Sequence, residues 1–202
     1  MTHSVVIIGS GFGGLGMAIR LREAGVHDVV ILEKAGGLGG TWRDNTYPGA
    51  ACDVPSHLYS FSFERKTDWS RRFPPQPEIL EYLWHCARKY RVLDKIRFRT
   101  EVTEARFDED AALWRISTTS GTLDARVLVS ACGQLNRPEL PPIEGRDSFA
   151  APPSIPRAGT TASTCAASGS RWSGRGRARS RSSRRSRRRR RSCGCSSAPR
   201  RT

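Results

Sequence analysis

Ser4-Val5-Val6-Ile7-Ile8-Gly9-Ser10-Gly11-Phe12-Gly13-Gly14 decides the fold. Ser4 to Ile8 is a short apolar run, the length of one strand buried in a parallel sheet. G-x-G-x-x-G follows at once, and Leu15 to Ala24 reads as a helix. Strand, glycine turn and helix in that order make the glycines a dinucleotide fingerprint. Gly9 permits the tight turn, Gly11 lets a pyrophosphate approach the backbone, and Gly14 lets helix and strand pack closely. The open N–H groups at the start of the helix then face the phosphates. Asp28 to Glu33 reads as the second strand and ends in an acid 19 residues past Gly14. A carboxylate there can accept hydrogen bonds from a ribose.

The charge of the chain is unevenly spread. Residues 151–202 hold 15 of the 34 Lys and Arg and no Asp or Glu, so the first 150 residues carry 19 basic and 19 acidic side chains. The net charge of +15 belongs wholly to the tail. Cys52, Cys86, Cys132, Cys165, Cys193 and Cys195 form no disulfide framework, and Cys193-x-Cys195 offers too few ligands for zinc. No metal site is expected. The first strand leaves no room for a signal peptide, and no apolar run approaches the roughly 20 residues of a membrane span. The body therefore reads as cytoplasmic.

From Lys34 to His57 the chain holds too many Gly and Pro for a helix or strand. Long irregular loops in compact domains are usually functional or disordered. Trp42, Tyr47 and Tyr59 suit a loop folded over a flat ring system, although buried aromatics in an ordinary surface loop would look the same. After Pro74-Pro75-Gln76-Pro77, Glu78 to Tyr90 reads as an amphipathic helix with Ile79, Leu80, Leu83, Trp84 and Ala87 as its stripe. His85 and Cys86 beside it read as packing or surface residues rather than ligands. Ile96–Arg99, Val102–Phe107 and Leu113–Thr118 read as short strands. Arg126 to Gly133 reads as a buried strand ending in a glycine where backbone again approaches a ligand. Asn136 to Pro142 closes the body.

The first 149 residues resemble the FAD-binding part of the flavin-containing monooxygenase superfamily, Baeyer–Villiger monooxygenases in particular. G-S-G-F-G-G-L-G, G-G-T-W, Y-P-G-A-x-C-D-V-P-S-H-L-Y-S-F and G-Q-L-N-R-P-x-L-P-P-I-x-G carry the resemblance. It implies a Rossmann-type α/β FAD domain of the two-dinucleotide-binding flavoproteins. It also implies FAD reduced by NADPH, and one oxygen atom of dioxygen inserted into a ketone. Carried over by position, Gly9, Gly11 and Gly14 hold the pyrophosphate and Glu33 the adenosine ribose. Thr41 and Trp42 lie along the FAD, and Val102 meets the adenine through its backbone. Asp53 is the catalytic carboxylate beside the flavin, paired with an arginine from a later part of the family's chain. Phe12, Lys34, Gly40, Tyr59 and Gly133 complete the cofactor-binding set.

From Ala151 the alphabet changes to Arg, Ser, Ala, Gly and Pro, with seven Arg between Arg184 and Arg191. Read as it stands, residues 150–202 are a disordered basic tail. Such a tail binds nucleic acid or acidic surfaces without sequence preference. A shifted reading frame explains the composition better. Starting at Phe149, the bases implied by the visible residues permit F-A-G-P-S-F-H-S-A-R-W, which matches the Baeyer–Villiger fingerprint F-x-G-x-x-x-H-x-x-x-W. Ser163 to Gly174 permits D-L-R-G-K-R-V-A-V-V-G, a strand running into a second glycine fingerprint where the family binds NADPH. Ser192 to Arg200 permits L-R-V-F-Q-R-S-A, also familiar from the family. One missing base near the codon for Ala150 suffices. The codon that ends the hidden fingerprint finishes in two guanines and cannot encode Phe or Tyr. That favours the ketone-oxidising branch over the sister N- or S-oxygenases. A non-catalytic FAD-binding protein with a nucleic-acid-binding tail is the remaining alternative. On this reading the chain is a fragment, inactive alone.

Overall fold

In a computed structural model, residues 2–134 are described, together with 142, 144, 145 and 148. The tail of residues 150–202, its shifted-frame reading and most of the Asn136–Pro142 segment lie outside the described residues. Six strands form one sheet: β1 (Thr2–Ile8), β2 (Val29–Leu32), β3 (Ile96–Arg97), β4 (Val102–Asp108), β5 (Leu113–Thr118) and β6 (Gly121–Ser130). Their order is β3-β2-β1-β6-β5-β4. The first four in that order run parallel, and β6, β5 and β4 form an antiparallel meander. This is the expected α/β architecture.

Several boundaries differ from the sequence reading by one or two residues, and three larger differences have a physical reason. Helix α1 (Phe12–Glu23) starts three residues before Leu15 and includes Gly13 and Gly14. Glycine disfavours helix interiors, but at Gly14 the helix runs against the end of the first strand, where a Cβ would not fit. Strand β6 starts at Gly121 rather than Arg126, because it has two partners. Gly121–Ala125 pairs antiparallel with β5, and residues 124–130 pair parallel with β1. Within the expected loop, Thr41–Asp44 forms one helical turn, α2. Gly40 at φ +52° turns the chain, and its carbonyl accepts from the N–H groups of Arg43 and Asp44, both at 3.0 Å.

Alternation along β1 sends side chains to both faces of the sheet. Val5 and Ile7 pack with Val29 and Ile31 of β2 under Leu15, Ala18 and Ile19 of α1 and Leu83, Cys86 and Ala87 of α3 (Gln76–Lys89). Val6 packs with Val30 and Leu32 against Ile116, Leu123 and Ala125 of the meander. The stripe of α3 is rotated slightly from its expected position. Tyr82 and Cys86 are buried with Ile79, Leu83 and Ala87, whereas Leu80 and Trp84 are half-buried. Burial pushes the Cys86 thiol up to about 11, so it behaves as an apolar core residue. His85 is exposed and contacts Glu64 at 3.0 Å.

Leu83 is fully buried between sheet and helix, whereas Met17 on the outer face of α1 is 41% exposed. Leu83→Ala is expected to cost about 2–5 kcal/mol of stability in urea unfolding. Met17→Ala is expected to stay within about 0.5 kcal/mol of the parent.

Candidate functional site

The site lies beyond the carboxyl ends of the parallel strands. Ile8 of β1 stands opposite Leu32 of β2 and Ser130 of β6, so Gly9, Glu33 and the Ala131–Gly133 segment emerge at one edge. Ligands of open α/β sheets sit at this edge. The glycines are required by space. Gly9 has φ +99°, and a Cβ there would lie 2.7 Å from the Ala131 carbonyl oxygen. A Cβ on Gly14 would lie 1.9 Å from the Gly9 carbonyl oxygen, inside the strand end. Gly11 differs: a Cβ there would meet only Gly40 Cα, at 3.9 Å. Its face is open for a group that must come close to the backbone. The first N–H groups of α1 have no carbonyl partner within the helix and favour an anion.

Glu33 closes the other side. It is 5% exposed, and its carboxylate accepts four hydrogen bonds. Oε2 takes the Ser10 N–H at 3.0 Å and the Ser10 hydroxyl at 2.7 Å. Oε1 takes the Ala35 N–H at 3.0 Å and Arg43 Nη1 at 2.9 Å. Burial alone would raise its pKa. The Ala35 and Ser10 hydrogen bonds and the Arg43 charge outweigh burial and hold the carboxyl below the usual range. The fit to an adenosine ribose is therefore good in charge and place, with one exchange required. A ribose hydroxyl bound there would replace one of the four donors, and the Ser10 hydroxyl, which can turn about its own C–O bond, is the one to displace.

The loop after Glu33 lies against the fingerprint. The Gly39 N–H donates to the Ser10 carbonyl at 3.0 Å, and a Cβ on Gly40 would come within 3.4 Å of Gly11 Cα. Trp42 Nε1–H donates to the Tyr59 hydroxyl at 3.0 Å. Tyr59 in turn packs edge-on against Phe12, with ring centroids 5.1 Å apart. Burial pushes the Tyr59 hydroxyl up to about 12, with Asp53 a lesser contributor. Cys52, also raised by burial, sits beside it. The Cys52 N–H donates to the Pro74 carbonyl at 2.9 Å and the Ser56 N–H to the Arg72 carbonyl at 2.7 Å. These two bonds hold the half-buried Asp53 between them. Arginines among the described residues pair with Glu23, Glu33, Asp44, Asp108 and Asp124, and none with Asp53.

The structure thus brings Gly9, Gly11, Phe12, Gly14, Glu33, Gly40, Trp42 and Tyr59 together. Thr41 and Lys34 are exposed at the rim, as is Gly133 beyond β6. Val102 opens β4 two residues after Thr100, whose N–H donates to the Glu33 carbonyl at 2.9 Å. Sequence reasoning missed Ser10, Arg43 and Gln76. Gln76 Nε2 donates to the Trp42 carbonyl and ties the loop to α3. Nothing in the local pattern of the amphipathic helix α3 marks Gln76, a polar residue buried at its start. For Arg43 the available signal was a cation one turn past the glycine run.

Two outcomes follow from this geometry. Gly14→Ala is expected to cost at least roughly 1–3 kcal/mol of stability by overpacking, whereas Gly25→Ala costs about 1 kcal/mol through its φ of +84° alone. Urea denaturation distinguishes them. The lowered pKa of Glu33 means that the folded state holds that proton more weakly than the unfolded chain. Its contribution is full above the unfolded value of about 4.3 and is lost as pH falls through the lower folded value. In denaturation at pH 3 to 7, Glu33→Gln is expected to lose stability most at pH 7 and least at pH 3.

No helix among the described residues is long and apolar enough to cross a membrane, and no cluster of metal-binding side chains occurs among them. Residues 6–155 match the pyridine nucleotide-disulphide oxidoreductase family. A Baeyer–Villiger monooxygenase of Streptomyces coelicolor is 53% identical over 145 residues, covering 72% of this chain and 28% of that protein. A Baeyer–Villiger monooxygenase of Pseudomonas aeruginosa is 49% identical over 146 residues, with the same coverage. Among solved structures, cyclohexanone monooxygenase from Rhodococcus sp. Phi1 bound to NADP+ superimposes with a TM-score of 0.67 at 41% identity. That match covers 74% of this chain and 29% of the enzyme. The chain spans less than a third of the length of these relatives. It belongs to the pyridine nucleotide-disulphide oxidoreductase family, and its homologues are Baeyer–Villiger and other flavin-dependent monooxygenases.

Proposed function

We propose that this chain is the FAD-binding part of an NADPH-dependent monooxygenase that converts ketones to esters or lactones. In that reaction NADPH, a proton, dioxygen and the ketone give the ester, NADP+ and water. The observation that carries the reading is the open face of Gly11 beside the buried, ionised Glu33, at the edge where three parallel strands end. FAD, when bound, supplies the redox chemistry. The N–H groups from Gly11 to Gly14 receive the diphosphate, and Glu33 accepts the ribose hydroxyls. Trp42, Tyr59 and Phe12 form an apolar wall that excludes water from one side of the ring system. Asp53 lies close enough to Tyr59 to act on its hydroxyl, and its role is to hold a cation supplied by a later part of the protein. Thr41, Lys34, Val102 and Gly133 complete the cradle at its rim.

The same reading places the end of the FAD domain at residue 149 and makes residues 150–202 an out-of-frame translation of the NADPH-binding region. It is supported by the change of composition at Ala151 and by three family stretches recovered in the right order. A cytoplasmic location and a small-molecule ketone as substrate go with it. The Arg-rich tail then has no specific nucleic-acid partner.

Binding and turnover test these statements separately. The chain is expected to bind FAD, seen as quenching of flavin fluorescence. Gly11→Val fills the open face and is expected to weaken binding at least about tenfold. Without a nicotinamide site, hydride donor and flavin lack the alignment that is worth roughly 7–11 kcal/mol of barrier. No ketone-dependent NADPH oxidation is expected from the chain as it stands. Restoring one base at the codon for Ala150 is expected to bring it back, and Asp53→Ala then to impair it. Ketone-dependent NADPH consumption by the unaltered chain, abolished by Asp53→Ala, would overturn the fragment reading. An intact frame on resequencing would overturn the account of the tail.

A further inference from the structure

We propose that Arg43 is the positioning residue for the adenosine end of this site, fixing the Glu33 carboxylate and locking the glycine loop against it. The inference rests on the FAD reading above and adds to it a residue that acts through Glu33. Every nitrogen of the guanidinium is engaged. Nη1 donates to Glu33 Oε1 at 2.9 Å and also to the Gly37 carbonyl. Nε and Nη2 donate to the two oxygens of Asp44, at 2.7 and 3.0 Å. The side chain is 18% exposed, so its orientation is held by packing as well as by these bonds.

Arg43 is the one cationic partner of Glu33 among the described residues. The other donors to the carboxylate are neutral: two backbone N–H groups and the Ser10 hydroxyl. A carboxylate buried this deeply stays ionised only while a cation and fixed dipoles compensate it. Charge-assisted bonds are also the stronger ones, so Arg43 holds the carboxylate in place when a ribose hydroxyl displaces the Ser10 hydroxyl. Through Gly37 the same nitrogen draws the glycine loop toward the end of β2. Through Asp44 the guanidinium is pre-aimed from α2. Without Arg43, Glu33 becomes a buried carboxylate that takes a proton more readily and loses acceptor capacity for the ribose. The loop also loses its tether. Arg43 thus sets the affinity for the ribose rather than touching it.

The test is calorimetric titration of the full chain with ADP and 2′-deoxy-ADP, in the parent, Arg43→Met, Arg43→Lys, Glu33→Gln and the Arg43→Met/Glu33→Gln double variant. The parent is expected to prefer ADP over 2′-deoxy-ADP by about fivefold or more, and Arg43→Met to weaken ADP about tenfold and bring that preference near unity. Arg43→Lys, which keeps the charge but not the fork, is expected to fall between them. In the Glu33→Gln background, Arg43→Met is expected to add little further loss, the signature of a residue acting through its partner. Circular dichroism checks that each variant is folded, and Arg43→Lys carries the comparison should Arg43→Met unfold. Unchanged ADP affinity and preference in both Arg43 variants would overturn the proposal. So would tighter ADP binding, which would make Arg43 a competitor of the ribose, or an equal loss on both Glu33 backgrounds. A parent chain that binds neither ADP nor FAD would instead overturn the FAD reading, and this proposal with it.

Discussion

Gly14 at the start of α1 lies hard against the carbonyl of Gly9 at the end of β1. A Cβ at Gly14 would lie 1.9 Å from that oxygen, so helix and strand meet only because Gly14 carries no side chain at the contact. This closeness fixes the direction of α1 and leaves its first N–H groups pointing past the sheet edge. It also brings Gly9 to the Ala131 carbonyl, which joins β1 to the end of β6. The remaining parts of the site are placed by reference to this corner. Glu33 bonds to Ser10 inside it, and the glycine loop bonds to Ser10 from the other side.

A second set of bonds holds the aromatic wall over the corner. The Phe61 N–H donates to the Tyr82 hydroxyl at 2.8 Å, and that hydroxyl donates to the Glu64 carbonyl at 2.6 Å. The Glu64 side chain accepts from Lys89 at 2.7 Å and from the Tyr90 hydroxyl at 2.9 Å. These contacts anchor the segment from Tyr59 to Glu64 onto α3, which α1, β1 and β2 position through the core. Phe61 and Tyr59 then reach Phe12 in the fingerprint. A long loop with little secondary structure is thereby made part of a rigid site. Its order comes from side-chain bonds to a helix rather than from a ladder of its own.

The corner was legible in the sequence because few residues can do its work. A strand, a glycine turn with fixed spacing and an acid at the end of the next strand leave little choice of geometry, and Gly9, Gly14 and Glu33 stand where that pattern requires. The double pairing of β6 went unread although Thr122 to Arg126 alternates polar and apolar, because the apolar run Val127-Leu128-Val129 dominates the segment and marks only its parallel half. The helical turn at Thr41–Asp44 was hidden by the glycines around it, one of which caps it. Arg43 was missed for a related reason. Asp44 is its neighbour in sequence, but Glu33 and Gly37 meet it only once the glycine loop folds back over the end of β2. The roles of Asp53 and Val102 come from resemblance, because a carboxylate in a loop and a backbone at a strand start carry no local pattern of their own.

The central claim is that the edge at Gly9, Gly11 and Glu33 receives the ADP half of FAD. Its most direct measurement is the amide NMR spectrum of the labelled chain during titration with ADP. The account predicts the largest shifts at Ser10, Gly11, Phe12, Gly13 and Ala35, with Val26 and His27 at the opposite end of the sheet unmoved. Saturable shifts centred on Val26 and His27, with the fingerprint amides unchanged, would contradict it.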